Sequence, residues 1–254
     1  MNLSLEGKVA VVTGGSRGIG RAIARSLAAE GCSLGLVARG REGLEDVARE
    51  LSSMGVSVEI EAADVTDAEA HDRAIARLAE RLGGIDVAVA NAGGSKPGNV
   101  FAPDEVWRQV WELNFLSAVR LFRAVVPHME KRGGGSFVAI SSISGLEAFG
   151  RASYVAAKSA LHGFAKAASI EVASRGIRVN CVAPGAIWFP GGSWDWRQKN
   201  DPETFARVER SIPFRRLGRP EEIGDVVAFL ASPRSSWVTG AVIVVDGGQT
   251  HRIG

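Results

Sequence analysis

The sequence is poor in the residues that build metal and disulfide chemistry, with two cysteines and four histidines in 254 residues. Cys32 and Cys181 are too far apart for a CxxC or zinc-ribbon spacing, and both fall in apolar runs where a buried thiol is expected. His71, His128, His162 and His251 are scattered without HExxH spacing, so no metal site is expected. There is no block of like charge either: 30 basic and 28 acidic residues leave a net charge of +2, which speaks against a nucleic-acid or anionic-membrane partner. The longest uncharged stretch, 179–194, holds Pro184, Pro190 and three glycines and cannot cross a bilayer as a helix. No long apolar run of the secretory-leader kind precedes Gly14, so a cytoplasmic protein acting on a small molecule is expected.

What the chain has in abundance is apolar surface, at 46% hydrophobic residues, and glycine, at 31. The glycines follow short runs rich in Val, Ile, Leu and Ala at 9–13, 33–38, 56–61, 85–90, 136–141, 177–182 and 241–245. Between them lie stretches of helical spacing. Ile23, Leu27 and Ala28 share a face within 21–30, ahead of Gly31. Pro103 opens a long stripe through Val106, Val110, Leu113, Val119, Phe122 and Val126 towards Pro127, and another helix is expected over 152–174. Strands apolar on both faces and alternating with amphipathic helices predict an α/β fold. The expectation is a doubly wound parallel sheet of about seven strands, Rossmann-type, in a single domain over 1–254. An excursion at about 188–215, rich in tryptophan and with a short helix near 202–210, interrupts the alternation and has the length of a binding loop.

Thr13-Gly14-Gly15-Ser16-Arg17-Gly18-Ile19-Gly20 follows the first strand and opens the first helix. Glycines there let the backbone approach a pyrophosphate, whose charge the free amides and helix dipole attract. The pattern TGxxxGxG resembles that of the short-chain dehydrogenase/reductase (SDR) family rather than the GxGxxG of other dinucleotide-binding enzymes. Further landmarks of that family occur in order: Asp64-Val65, Asn91-Ala92-Gly93, Asn114, Ser142, Tyr154 with Lys158, Pro184-Gly185, and a closing Val245-Asp246-Gly247-Gly248. The resemblance spans essentially the whole chain.

Tyr154, the only tyrosine, and Lys158 are four apart in a helical segment and leave the same face. A tyrosine hydroxyl titrates near 10, and a neighbouring ammonium favours the phenolate. The resemblance implies an oxidoreductase that moves a hydride between nicotinamide and a secondary alcohol or ketone, as in carbonyl reductases and alcohol dehydrogenases. In it Tyr154 exchanges the proton, Ser142 polarises the carbonyl, Lys158 lowers the tyrosine pKa and Asn114 serves a proton relay. Ser142 fits the SxxG pattern through Gly145, whereas the usual serine-to-tyrosine spacing selects Ser141. The resemblance also implies that Gly14, Ser16, Arg17, Gly18, Ile19 and Gly20 cradle the cofactor. Asp64 and Val65 are implied to meet adenine, Asn91, Ala92 and Gly93 the ribose side, and Pro184, Gly185 and Ile187 the nicotinamide, with Tyr154 and Lys158 also touching it. A threonine usual in the family two residues after the isoleucine is Phe189 here.

The second strand ends at Ala38, where NAD-preferring proteins of such folds carry a carboxylate, and Arg39 follows. With Arg17 it can approach a 2′-phosphate, so NADP(H) rather than NAD(H) is the expected cofactor. Trp188, Phe189, Trp194 and Trp196 are candidate substrate contacts. Two other readings remain: a 3-oxoacyl-[acyl-carrier-protein] reductase, with Arg132 and Arg175 as carrier contacts, and a non-catalytic cofactor-sensing regulator. By resemblance the assembly is a homotetramer, or failing that a dimer.

Overall fold

The computed structural model describes residues 2–252, and every expected strand forms within one or two residues of its expected bounds. These are β1 (Val9–Thr13), β2 (Ser33–Ala38), β3 (Val58–Ala62), β4 (Val87–Ala90), β5 (Gly135–Ile140), β6 (Ile177–Pro184) and β7 (Val242–Val245). They make one parallel sheet in the order β3-β2-β1-β4-β5-β6-β7. Because side chains alternate along a strand, each central strand feeds two cores. Ala10, Val12, Val87, Val89, Val138 and Ile140 pack on one face; Val11, Ala88, Ala90, Phe137 and Ala139 pack on the other. The first face is covered by α1 (Gly18–Ala29), α2 (Arg41–Ser52) and α9 (Pro220–Ala231). The second is covered by α3 (Ala68–Leu82), α5 (Ser117–Lys131) and α6 (Ala152–Val172).

The chain leaves β1 towards β2 on one side and returns to β4 on the other, so a crevice opens beyond the ends of β1 and β4, where parallel α/β sheets bind ligands. The termini of β1, β2, β4, β5 and β6 carry the glycine turn, Ala38, Asn91, Ser142 and Pro184 respectively, which collects the family-like landmarks along one edge of the sheet.

Three elements differ from the periodicity. First, α1 starts at Gly18 rather than near Arg21. Second, the helix expected from Pro103 towards Pro127 is α4 (Asp104–Trp111), a π-turn over Glu112–Leu116, and then α5, which runs through Pro127 to Lys131. Val125, Val126 and Met129 are buried on either side of the proline, and their burial offsets the roughly 3 kcal/mol that an interior proline costs. Third, the excursion holds two helices, α7 (Ser193–Asn200), which the mixed charges conceal, and α8 (Pro202–Ser211), close to the short helix expected there. Its base is pinned by Trp188 N–H to Gly218 O at 2.9 Å and Gly218 N–H to Ala186 O at 2.9 Å. Ala186, Val208, Ile212 and Leu217, with Trp194 and Phe205, give it a small core of its own. Among the described residues no helix is long and apolar enough to cross a membrane, and no three His, Cys, Asp or Glu side chains converge as a metal site.

Candidate active site

Tyr154 and Lys158 lie one turn apart near the start of α6, with the lysine Nζ 5.6 Å from the centre of the tyrosine ring. Lys158 is 3% exposed, and its ammonium donates to the Ile140 carbonyl, the last residue of β5, at 2.8 Å. Burial pulls it down to about 8, opposed by Cys181, so the lysine is still mostly charged at neutral pH. Burial pushes the Tyr154 hydroxyl above its usual range, and a hydrogen bond from Ser142 works against that rise. The expected lowering by Lys158 is thus not present here, because the ammonium is turned to Ile140 rather than to the phenol oxygen.

The two candidate serines face different ways. Ser142 lies beside Tyr154, where it works to lower that hydroxyl, and its Oγ accepts the Ser144 N–H at 3.1 Å. Ser141 is 4% exposed, and its hydroxyl is turned into the protein, onto the Lys158 carbonyl.

Asn114 sits in the π-turn, where the wider winding brings its side chain to face the loop after β4. Its Nδ2 donates to the Gly94 and Val110 carbonyls, both at 2.8 Å, and its Oδ1 accepts the Gly94 N–H at 3.0 Å. Between them, Gly93 has no room for a side chain: a Cβ there would lie 2.9 Å from Asn114 Oδ1 and 3.2 Å from Lys158 Nζ. That glycine lets the β4 loop approach both polar groups.

The glycine turn is held from beneath. Asn91 Nδ2 donates to the Thr13 and Gly14 carbonyls at 3.0 and 3.2 Å, while the Thr13 hydroxyl accepts the Asn91 and Ala92 amides. At the first turn of α3 the Asp67 side chain caps the Ala70 amide, but α1 has no side-chain cap and no acidic residue in its first turn. Its orphan amides and dipole are left facing the crevice, which fits an anionic group such as a dinucleotide's pyrophosphate. Ser16 and Ile19 are half-buried on the same turn, and Gly20 is buried. On the far side Ala38 is half-buried and Arg39 exposed. Burial raises Asp64, but hydrogen bonds from the Thr66 backbone and hydroxyl, with the charge of Arg39, hold its carboxyl below the usual range. Val65 beside it is buried.

Pro184, Gly185 and Ile187 follow on the other wall. Sequence reasoning passed over Gln249 there: its Oε1 accepts the Ala186 N–H at 2.9 Å and braces this turn from 63 residues away. Only the long-range fold brings the two together. Beyond Ile187 the Phe189 ring packs on the glycine turn, where a Cβ at Gly18 (φ +54°) would lie 2.6 Å from it. Arg17 reaches the same loop, donating to the Gly191 carbonyl at 3.2 Å. Of the tryptophans, Trp188 donates to Gln198 at 2.9 Å, Trp194 packs in the excursion's own core against Phe205, and Trp196 is 59% exposed.

Residues 14–250 match the family described as Enoyl-(Acyl carrier protein) reductase. The Dehydrogenase/reductase SDR family member 4 of Sus scrofa is 38% identical over 252 residues, covering 98% of this chain and 89% of the relative. Among solved structures, the L-sorbose reductase of Gluconobacter frateurii, complexed with NADPH and L-sorbose, superposes with a TM-score of 0.93 at 36% identity, over 100% of both chains. A 7α-hydroxysteroid dehydrogenase complexed with NADH and 7-oxo glycochenodeoxycholic acid gives 0.92 at 31% identity, over 100% of this chain and 98% of the other. With a doubly wound sheet, an uncapped glycine turn at its crevice and the Tyr154–Lys158 helix beside it, the chain belongs to the short-chain dehydrogenase/reductase family of oxidoreductases.

Proposed function

We propose that the protein is a cytoplasmic, NADP(H)-dependent oxidoreductase that interconverts a secondary alcohol and a ketone. The observation that carries the reading is Tyr154, beside Ser142 and one helical turn from the buried ammonium of Lys158. A nicotinamide dinucleotide held along the crevice supplies or takes up the hydride. Tyr154 exchanges a proton with the substrate oxygen, and Ser142 donates a hydrogen bond to that oxygen as charge develops on it. Lys158 is mostly charged at neutral pH and stabilises the phenolate once it turns from Ile140 towards the crevice. Asn114, braced by the loop after β4, lies beside Lys158 across Gly93 and serves the proton relay.

The cofactor preference rests on Ala38, which offers no carboxylate to repel a 2′-phosphate, and on the exposed Arg39 and Arg17. The NADPH complex of the sorbose reductase agrees with it, whereas the hydroxysteroid dehydrogenase was solved with NADH. A contact of ~2 kcal/mol surviving solvent screening corresponds to a preference of roughly thirtyfold. The test is catalytic efficiency with each cofactor on a panel of ketones, alcohols and a 3-oxoacyl thioester. Equal efficiency with NADH and NADPH overturns the preference, and Ala38→Asp with Arg39→Ser should reverse it. Carrier-protein chemistry is less well supported: Arg132 is forked onto Asp86 at 3.1 and 3.0 Å, and Arg175 pairs with Glu130 at 2.9 Å, so both arginines have partners within the chain. A purely sensing role has no use for the full set of Asn114, Ser142, Tyr154 and Lys158. The exposed Trp237 and Ile170 favour a homotetramer, or a dimer through one face, and light scattering at the 26.8 kDa monomer mass would contradict it.

A further inference from the structure

The face of α6 that presents Tyr154 and Lys158 continues one turn further, to His162, at a spacing of i, i+4 and i+8. The chemistry above uses the first two and leaves the third without a task. His162 Nε2 lies 2.6 Å from Ser141 Oγ, and that same hydroxyl donates to the Lys158 carbonyl at 3.1 Å. The Ser141 hydroxyl thus sits between the imidazole and the Lys158 carbonyl and joins the two. Burial, helped by the charges of Arg252 and Lys158 and opposed by a bond to the Gly145 backbone, lowers His162 to about 4. The ring is therefore neutral at ordinary assay pH. The Ser141 amide is also taken, donating to Val182 O at 2.7 Å.

The far side of Ser142 is fastened to the same helix. Ser159 Oγ donates to the Gly145 carbonyl at 2.9 Å, and a Cβ on Gly145 would lie 2.6 Å from His162 Cε1 and 2.8 Å from the Lys158 backbone. Residues 141 and 145 bracket Ser142, and both are tied to the helix that carries Tyr154.

We propose that His162 is a positioning residue for the reaction: through Ser141 and against Gly145 it fixes where the Ser142 hydroxyl stands relative to Tyr154. This inference rests on the roles given to Ser142 and Tyr154 above. Displacements of about 1 Å at a reacting group can cost on the order of a hundredfold in rate, so a loosened Ser142 should be felt in kcat.

The experiment compares His162→Leu, His162→Gln, Ser141→Ala and the double variant His162→Leu/Ser141→Ala, with Tyr154→Phe alongside, in the full chain. His162→Leu and Ser141→Ala should each lower kcat about tenfold and leave NADPH affinity within about twofold. The double variant should lose about tenfold rather than about a hundredfold, because both changes break one chain of bonds. His162→Gln, whose amide can pair with the Ser141 hydroxyl as donor or acceptor, should recover to within about threefold of the native rate. Native turnover in both single variants overturns the proposal, as do additive losses or no recovery with glutamine. An inactive Tyr154→Phe beside such results leaves the catalytic reading standing and removes only His162. An active Tyr154→Phe removes the reading and the inference together. If His162→Leu fails to fold, Ser141→Ala, which only deletes an oxygen, decides the question by its kcat against its NADPH affinity.

Discussion

The junction of β5 with α6 and the excursion over residues 188–217 flank the same crevice but are held in opposite ways. At the junction Ser141 and Lys158, and beside it Asn114 of the π-turn, are each under 5% exposed, and each has a hydrogen-bond partner on a neighbouring element. The excursion packs mainly on itself, around Val208, Ile212 and Leu217, and shows Trp196 and Phe214 to solvent at 59% and 70%. Its ties to the glycine turn are the Phe189 ring on Gly18 and one bond from Arg17 to Gly191. The difference separates two tasks. The reacting groups belong to a lattice of buried hydrogen bonds, where a change in one is felt by the rest. The surface that would meet a substrate belongs to a segment with its own small core, which can change its side chains without moving the reacting groups.

The sharpest test of this division is Tyr154→Phe. Removing the proton should lower turnover by about 10³-fold while NADPH affinity, read by fluorescence titration, stays close to native. Loss of cofactor binding as well would mean that the tyrosine holds the framework together rather than acting in it.

Asp86 provides a test of the framework away from the site. Its carboxylate takes the Val9 amide at 2.9 Å, both arms of Arg132, and Lys8 at 3.3 Å. Asp86→Ala leaves a buried amide unpaired and should cost about 2 kcal/mol by denaturant titration, with turnover per folded molecule unchanged. Burial alone would raise this carboxyl, but Arg132, the Val9 amide and Lys8 hold it below its ordinary value. A depressed carboxyl stabilises above its unfolded pKa, and that stability is lost as pH falls through the folded value. The variant's acid limb should therefore be shallower than the native one, and an unchanged acid profile would contradict this account.

The smallest effects should come from the excursion. Trp196→Ala should raise the KM for substrate about fivefold and leave that for NADPH alone. Trp194→Ala, which removes a ring packed on Phe205, should speed protease cleavage within 188–217 more than it lowers Tm. Equal losses for both ligands in either variant would join the excursion to the framework.

Much of the fold was legible in the sequence, because strands buried on both faces and glycines at their ends leave a repeating pattern that a parallel sheet must produce. The glycine turn, Tyr154 and Lys158 could be located for the same reason: each depends on local spacing. The direction of the serines could not. Ser141 and Ser142 are adjacent and chemically identical, and only the packing of α6 against β5 turns one inward and the other towards Tyr154. Gln249 and His162 were missed because their partners at Ala186 and Ser141 are distant in the chain. In α7, near-balanced charge around two tryptophans conceals any stripe. The spacing places the Lys158 ammonium near Tyr154, but not its bond to the Ile140 carbonyl, which depends on the packing of α6 on β5.

The π-turn at Asn114 has a consequence for how the gene can change. There the Ser117 amide reaches back five residues to Glu112, one more than in an α-helix, so the turn amounts to an inserted codon. Loss of any one codon across 112–116 would restore ordinary winding and leave α4 and α5 in nearly the same phase, because five residues at the wider winding turn the chain about as far as four in an α-helix. Asn114, or whatever residue then took its place, would no longer face Gly94. The extra residue therefore serves the placement of Asn114 and not the packing of either helix.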